Sequence, residues 1–125
     1  MWSDKQKKIM QLKIDARHYS RELIRDVFQT TDHFPKNDPE QLAAHLRKKA
    51  LSASSLLSHG TTKTNFEEQN QDFLMVMQEL REILKFVTIA YHLNLCNQQQ
   101  KLLIRQSITN VINSLDDIVL LQQKD

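Results

Sequence analysis

One glycine and two prolines serve a chain of 125 residues. Sheets consume turn-forming residues at every strand end, so this shortage points to long helices and a handful of connections. Four stretches carry the apolar period of a helix. In the first, from Asp4 to about Gln29, Ile9, Leu12, Ala16, Tyr19, Leu23 and Val27 recur every three or four residues on one face. The segment TTDHFPKNDPE breaks that period with Pro35, and the next helix begins with Asp38 as N-cap, Pro39 at the first position and Gln41 closing a capping box.

This second helix turns Leu42, Leu46, Ala50, Ala53 and Leu57 inward and ends near Gly60, the residue best suited to a left-handed C-terminal cap. Asn65 with Glu68 is a further capping box, opening a third helix to about Leu93 with Phe73, Met77, Leu80, Leu84, Val87 and Tyr91 inward and Asn94 as its cap. In the fourth, Ile104, Ile108, Val111, Leu115 and Ile118 carry the period before the chain frays into LQQKD. Short joints make successive helices antiparallel, so the expected fold is all-α: an antiparallel up-down-up-down four-helix bundle, with residues 1–125 as a single domain.

No apolar run approaches the roughly 18 residues of a membrane span, which argues against a membrane partner. The N-terminal stretch lacks the uninterrupted apolar core of a secretory signal. Cys96 is the only cysteine, which excludes an internal disulfide and a CxxC site and fits a cytoplasmic location. Net charge is only +2, but residues 1–60 hold 11 Lys and Arg against 7 Asp and Glu, while residues 61–125 hold 6 against 8. The first half is the basic half.

Two helices carry apolar residues off their main face. At about 100° per residue, Met10, Ile14, Ile24 and Phe28 fall together well away from the first helix's core arc. Val76, Ile83 and Phe86 lie beside the main set of the third helix, together with Ala90 and Leu93. An asymmetric core that wraps more of each helix would use them. The sharper expectation is an interface between copies of the chain, hence a homo-oligomer. The segment HLRKKALSASSLLSHG fits the same expectation, because Ser52, Ala53, Ser54, Ser55 and Ser58 let another helix approach closely.

HFPKNDPEQLAAHLRKKALSASSLLSHG, followed by ELREILKFVTIAYHLNL, resembles the four-helix-bundle proteins named for intervening sequences of bacterial 23S ribosomal RNA. Phe34, Pro35 and Lys36 match that family's turn. Leu46, Arg47, Ala50, Ser52, Ser55 and Gly60 match its second helix, with Lys48 for an arginine, and Leu80 and Glu82 match its third. The chain departs at Ala53 and Ser54, at Leu56 to His59, and at Gln78 and Glu79, as a divergent member would. Spanning roughly residues 10 to 120, the resemblance implies a four-helix bundle assembling as a ring, commonly a homopentamer, without catalytic activity or cofactor. A related branch, the accessory variability determinant of diversity-generating retroelements, implies a reverse transcriptase and its RNA as partners.

No reaction is spelled out by the residues themselves. His18, His33, His45, His59 and His92 form no HExxH motif, Asp116 and Asp117 point in different directions on a helix, and one glycine cannot build a phosphate loop. The constellation with chemical weight is basic. Lys13, Arg17, Arg21 and Arg25 recur every fourth residue, and Arg47, Lys48 and Lys49 add a cluster on the second helix. Such an array can follow the phosphates of a structured RNA or DNA, or it can be a solvated face paired with Asp15, Glu22 and Asp26. No aromatic stacking signature accompanies it. The expectation is a non-enzymatic, metal-free, oligomeric bundle that contacts RNA or a reverse transcriptase through these cations; the alternative is a purely structural ring.

Overall fold

The computed structural model describes residues 1–123. They form α1 (Asp4–Thr31), a 3-10 turn (Pro39–Gln41), α2 (Leu42–Thr61), α3 (Phe66–His92) and α4 (Gln98–Gln123). Each helix packs on its neighbours in sequence and α1 closes on α4, while among the described residues no diagonal pair of helices brings its backbones within 8 Å. Cross-helix partners give the direction. Arg17 meets Thr61, Ser20 meets Ser54 and Arg47 meets Thr31; His45 meets Phe86, Lys49 meets Glu79 and His59 meets Asp72. Residue numbers rise on one helix as they fall on the next, as they also do from Gln69–Gln122 to Tyr91–Lys101. The fold is the expected up-down-up-down four-helix bundle.

The core is a heptad seam shared by four helices. Ala16, Leu23 and Val27 of α1, Leu46, Ala53 and Leu57 of α2, Phe73, Leu80 and Val87 of α3, and Ile104, Val111 and Ile118 of α4 are all buried. On α3 the buried line is Phe73, Val76, Leu80, Ile83, Val87 and Ala90, whereas Met77, Leu84 and Tyr91 are half-buried on its flank. Val76 and Ile83, expected between copies of the chain, are therefore core residues of this one. A helix held between two neighbours buries a wider arc than a single face.

Several helix ends differ from expectation. Ser3 and Gln6 form a complete capping box at the start of α1, as Asn97 and Gln100 do at the start of α4. α2 begins at Leu42 rather than Pro39, because Glu40 and Gln41 take left-handed backbone (φ 58° and 53°) and the Asp38 carboxylate reaches past them to the Ala43 N–H at 2.9 Å. Asn65 accepts from the Glu68 N–H, but the expected capping box is only half formed, the Glu68 carboxylate lying instead 3.8 Å from Lys63. Asn94 (φ 61°) caps α3, with the Asn94 N–H bonded to the Tyr91 carbonyl and the Leu95 N–H to that of Ala90, a Schellman closure. α4 stays helical to Gln123, so Leu121 to Gln123 do not fray; Lys124 and Asp125, the rest of that expectation, lie outside the described residues.

Gly60 is not a left-handed cap. It is a buried helical residue with ordinary backbone, and its role is the close approach of α3: a Cβ there would lie 2.9 Å from the Asp72 Cβ and 3.1 Å from the Phe73 ring. The small residues of α2 act in the same way within the chain. Ala53 is buried in the core and the Ser54 hydroxyl meets that of Ser20 at 3.3 Å on the α1 side, while Ser55 and Ser58 remain exposed. Replacing a helical glycine by alanine ordinarily stabilises a protein by about 1 kcal/mol. Here Gly60→Ala is expected to cost about 1–3 kcal/mol by overpacking the α2–α3 contact. A urea unfolding midpoint above that of the parent protein would overturn this assignment.

Candidate nucleic-acid interface

Four residues advance a helix about 40° beyond a full turn, so a cation at every fourth position winds around it. Arg17, half-buried at the α1–α2 seam, donates from Nη1 to Thr61 Oγ1 at 2.9 Å. Arg21 and Arg25 follow outward and are exposed. Lys13 starts the stripe partly buried, and its pKa is lowered by loss of solvent and then by the neighbouring Arg17.

The α2 cluster separates into three roles. Arg47 is locked: its Nε donates to Thr31 Oγ1 and its Nη2 to Asp32 Oδ1, both at 2.7 Å, while the guanidinium lies 4.7 Å from the centre of the Phe28 ring. Lys49 turns to α3 and pairs with Glu79 at 3.4 Å. Lys48 is exposed. Arg21, Arg25 and Lys48 make no hydrogen bond or ion pair among the described residues.

The acids expected to neutralise this stripe are occupied elsewhere. Asp15 accepts from Gln11, Glu22 faces His18 at 3.0 Å, and buried Asp26 accepts the Ser107 hydroxyl of α4 at 2.6 Å. All three lie toward the α4 flank of α1. α2 contains no Asp or Glu at all. Arg21 and Arg25 of α1 and Lys48 on the outer side of α2 are thus left exposed without an acidic partner among the described residues, and Asp32 is taken by Arg47. Such a field draws in polyanions.

Of the apolar residues expected between copies, Met10 (37% exposed) and Ile14 (43%) are on this face. Ile24 is half-buried against the core, Phe28 lies under Arg47, and Phe86 stacks on His45 with ring centres 5.4 Å apart. Leu51 adds an exposed apolar group from α2. Among the described residues no three His, Cys, Asp or Glu side chains gather closely enough to hold a metal ion, and no helix is long and apolar enough to cross a membrane. Burial pushes the Cys96 thiol pKa up, with Lys101 opposing.

Sequence periodicity alone did not separate the structural cations from the available ones, because Arg17, Arg47 and Lys49 differ from their neighbours only in what the adjacent helix places beside them. No protein-family model matches the chain, and no curated protein matches it in sequence. The class defined by the fold is a four-helix bundle, and α1 and α2 add exposed cations without acidic partners among the described residues. Arg47→Lys tests the division of labour: losing the planar fork and the ring contact is expected to cost about 1–2 kcal/mol in chemical denaturation, despite unchanged charge. Unaltered stability would return Arg47 to the set of available cations.

Proposed function

We propose that the α1–α2 face binds the phosphate backbone of a structured RNA, the chain acting as a non-catalytic binding module. The observation that carries this reading is the charge geometry: Arg21, Arg25 and Lys48 are exposed without partners, while every acid within α1 that could have paired with them points elsewhere. Ion pairing on the surface stabilises folds little, and three exposed cations without partners contribute less still. Charge of that kind is useful to a polyanionic partner. Arg17 and Lys13 extend the field along α1, and the recognition rests on shape and phosphate spacing. Kinship with the ribosomal intervening-sequence bundles, and through them an association with a reverse transcriptase, belongs to the same proposal.

A second reading is favoured by Ile14, Met10 and Leu51, exposed among these cations. In that reading the face joins copies of the chain into a homo-oligomer, and the arginines pair with acids of a neighbouring subunit. One experiment separates the two. Binding of a labelled structured RNA is measured at about 50 and 200 mM salt, a range over which phosphate contacts weaken steeply. The triple variant Arg21→Ala/Arg25→Ala/Lys48→Ala is expected to keep its thermal stability and its mass in solution. Its log affinity should fall less steeply with log salt, by about 0.7–0.9 per phosphate contact removed. Absence of RNA binding at low salt, with a variant that falls apart into smaller species, would instead establish the intersubunit reading.

A further inference from the structure

At the end of the bundle where α1 begins, a pocket of about 440 Å³ opens between α1 and the α2–α3 joint. Trp2 and Phe66 line it, 53% and 55% exposed, together with Ile9, Met10, Lys13 and Lys63. Its size is that of ordinary small-ligand sites, which run to about 300–1,000 Å³. The two aromatic residues are 64 positions apart in the sequence, so no local motif announces them, and the fold alone puts them in one place.

Both are positioned by helix starts. The reciprocal Ser3–Gln6 capping box fixes how the chain enters α1 and so where Trp2 stands, while Asn65 caps α3 immediately before Phe66. The cations at the rim are unequal. Lys63 is shared between Glu68 and Asp72, each at 3.8 Å, and Asp72 also holds His59 at 3.1 Å. Lys13 has no such carboxylate; its near charge is Arg17, which repels it. Arg17 in turn touches Thr61, two residues before Lys63, so the pocket continues directly from the cationic face.

We propose that this pocket takes an unpaired nucleobase of an RNA bound along the α1–α2 face, the base lying against Trp2 and Phe66 with its phosphate beside Lys13. The inference rests on the phosphate-binding reading of that face. An exposed pair of aromatic rings beside an uncompensated cation matches a nucleotide in both its parts: the π-face stacks on the rings, and the phosphate supplies the charge that Lys13 lacks. A purely apolar occupant, such as a side chain from a second copy, would leave Lys13 without a counter-charge.

Trp2 is the only tryptophan in the chain, so its emission reports on the pocket directly. An end-labelled short single-stranded oligoribonucleotide is titrated while label anisotropy and Trp2 fluorescence are read together, alongside an abasic strand of the same length and charge. Anisotropy is expected to rise with both strands, and Trp2 emission to be quenched by the base-bearing strand alone. Phe66→Ala, an exposed substitution that leaves the core intact, is expected to weaken the base-bearing strand by at least about fivefold and leave the abasic strand unaffected. Rising anisotropy with flat Trp2 emission, quenching by both strands alike, or an inert Phe66→Ala would each overturn the pocket while leaving the cationic face standing. No anisotropy change with either strand would overturn the pocket, whereas the phosphate-binding face is overturned only if a labelled structured RNA also fails to bind at about 50 mM salt.

Discussion

The close approach of α2 to both of its neighbours is the constraint on which the surface depends. With no Cβ at Gly60 and small groups at Ala53 and Ser54, α2 settles against α3 on one side and α1 on the other. That spacing brings Arg17 within hydrogen-bond reach of Thr61, and Arg47 within reach of Thr31 and Asp32. Wider separation would release both guanidinium groups and dissolve the distinction between anchored and available cations. The α1–α2 face is therefore set by packing as much as by its charged residues. Interiors that pack at crystal-like density transmit a one-atom change in this way.

Charge sorting follows from the opposite flank of α1. Asp26 is buried with its carboxylate bonded to Ser107, which ties α1 to α4 and orients the helix about its axis. A buried carboxylate is tolerated only when hydrogen-bonded, so this contact is directional where the apolar seam is not. With α1 held in that rotation, Asp15 and Glu22 are carried toward α4, and Arg21 and Arg25 are left facing outward. The Gln69–Gln122 pair does similar work between α3 and α4, each amide donating to the other at 2.7 and 3.2 Å. Polar contacts at two corners thus register a bundle whose apolar seam alone would allow sliding.

Much of the fold was legible because helices leave a simple periodic trace. A lone glycine, apolar steps of three and four, and Asn65 and Asn94 at element ends located four helices and the sense of their connections. What periodicity cannot give is how far a helix is rotated between two neighbours. Val76 and Ile83 lie next to the line assigned as α3's core, and only the position of α2 and α4 decides that they, and not Met77 and Leu84, are fully buried. The left-handed Glu40 and Gln41 were hidden for a related reason: the Asp38 side chain bonds the Ala43 N–H, while the Gln41 N–H goes to the Asp38 carbonyl. The cations were legible as a set but not as individuals. Trp2 and Phe66 were invisible as a pair, although Ser3 followed by Gln6 three residues later is a capping signal that marks where Trp2 is held.

Lys13 links the surface to the energetics of the fold. Its ammonium loses solvent and faces Arg17, so its pKa in the folded chain lies below the ordinary value of 10.5. The charged form is thus less favourable in the fold than in the unfolded chain. The resulting penalty is fully present below the lowered value, fades as pH rises from there to 10.5, and vanishes when both states are neutral. At neutral pH the bundle carries that cost without any internal compensation. A phosphate beside Lys13 would oppose that penalty by favouring the charged ammonium, raising its pKa in the complex. By the same linkage, RNA seated there would stabilise the fold as well as occupy it, since a ligand that binds only the native state shifts unfolding by mass action.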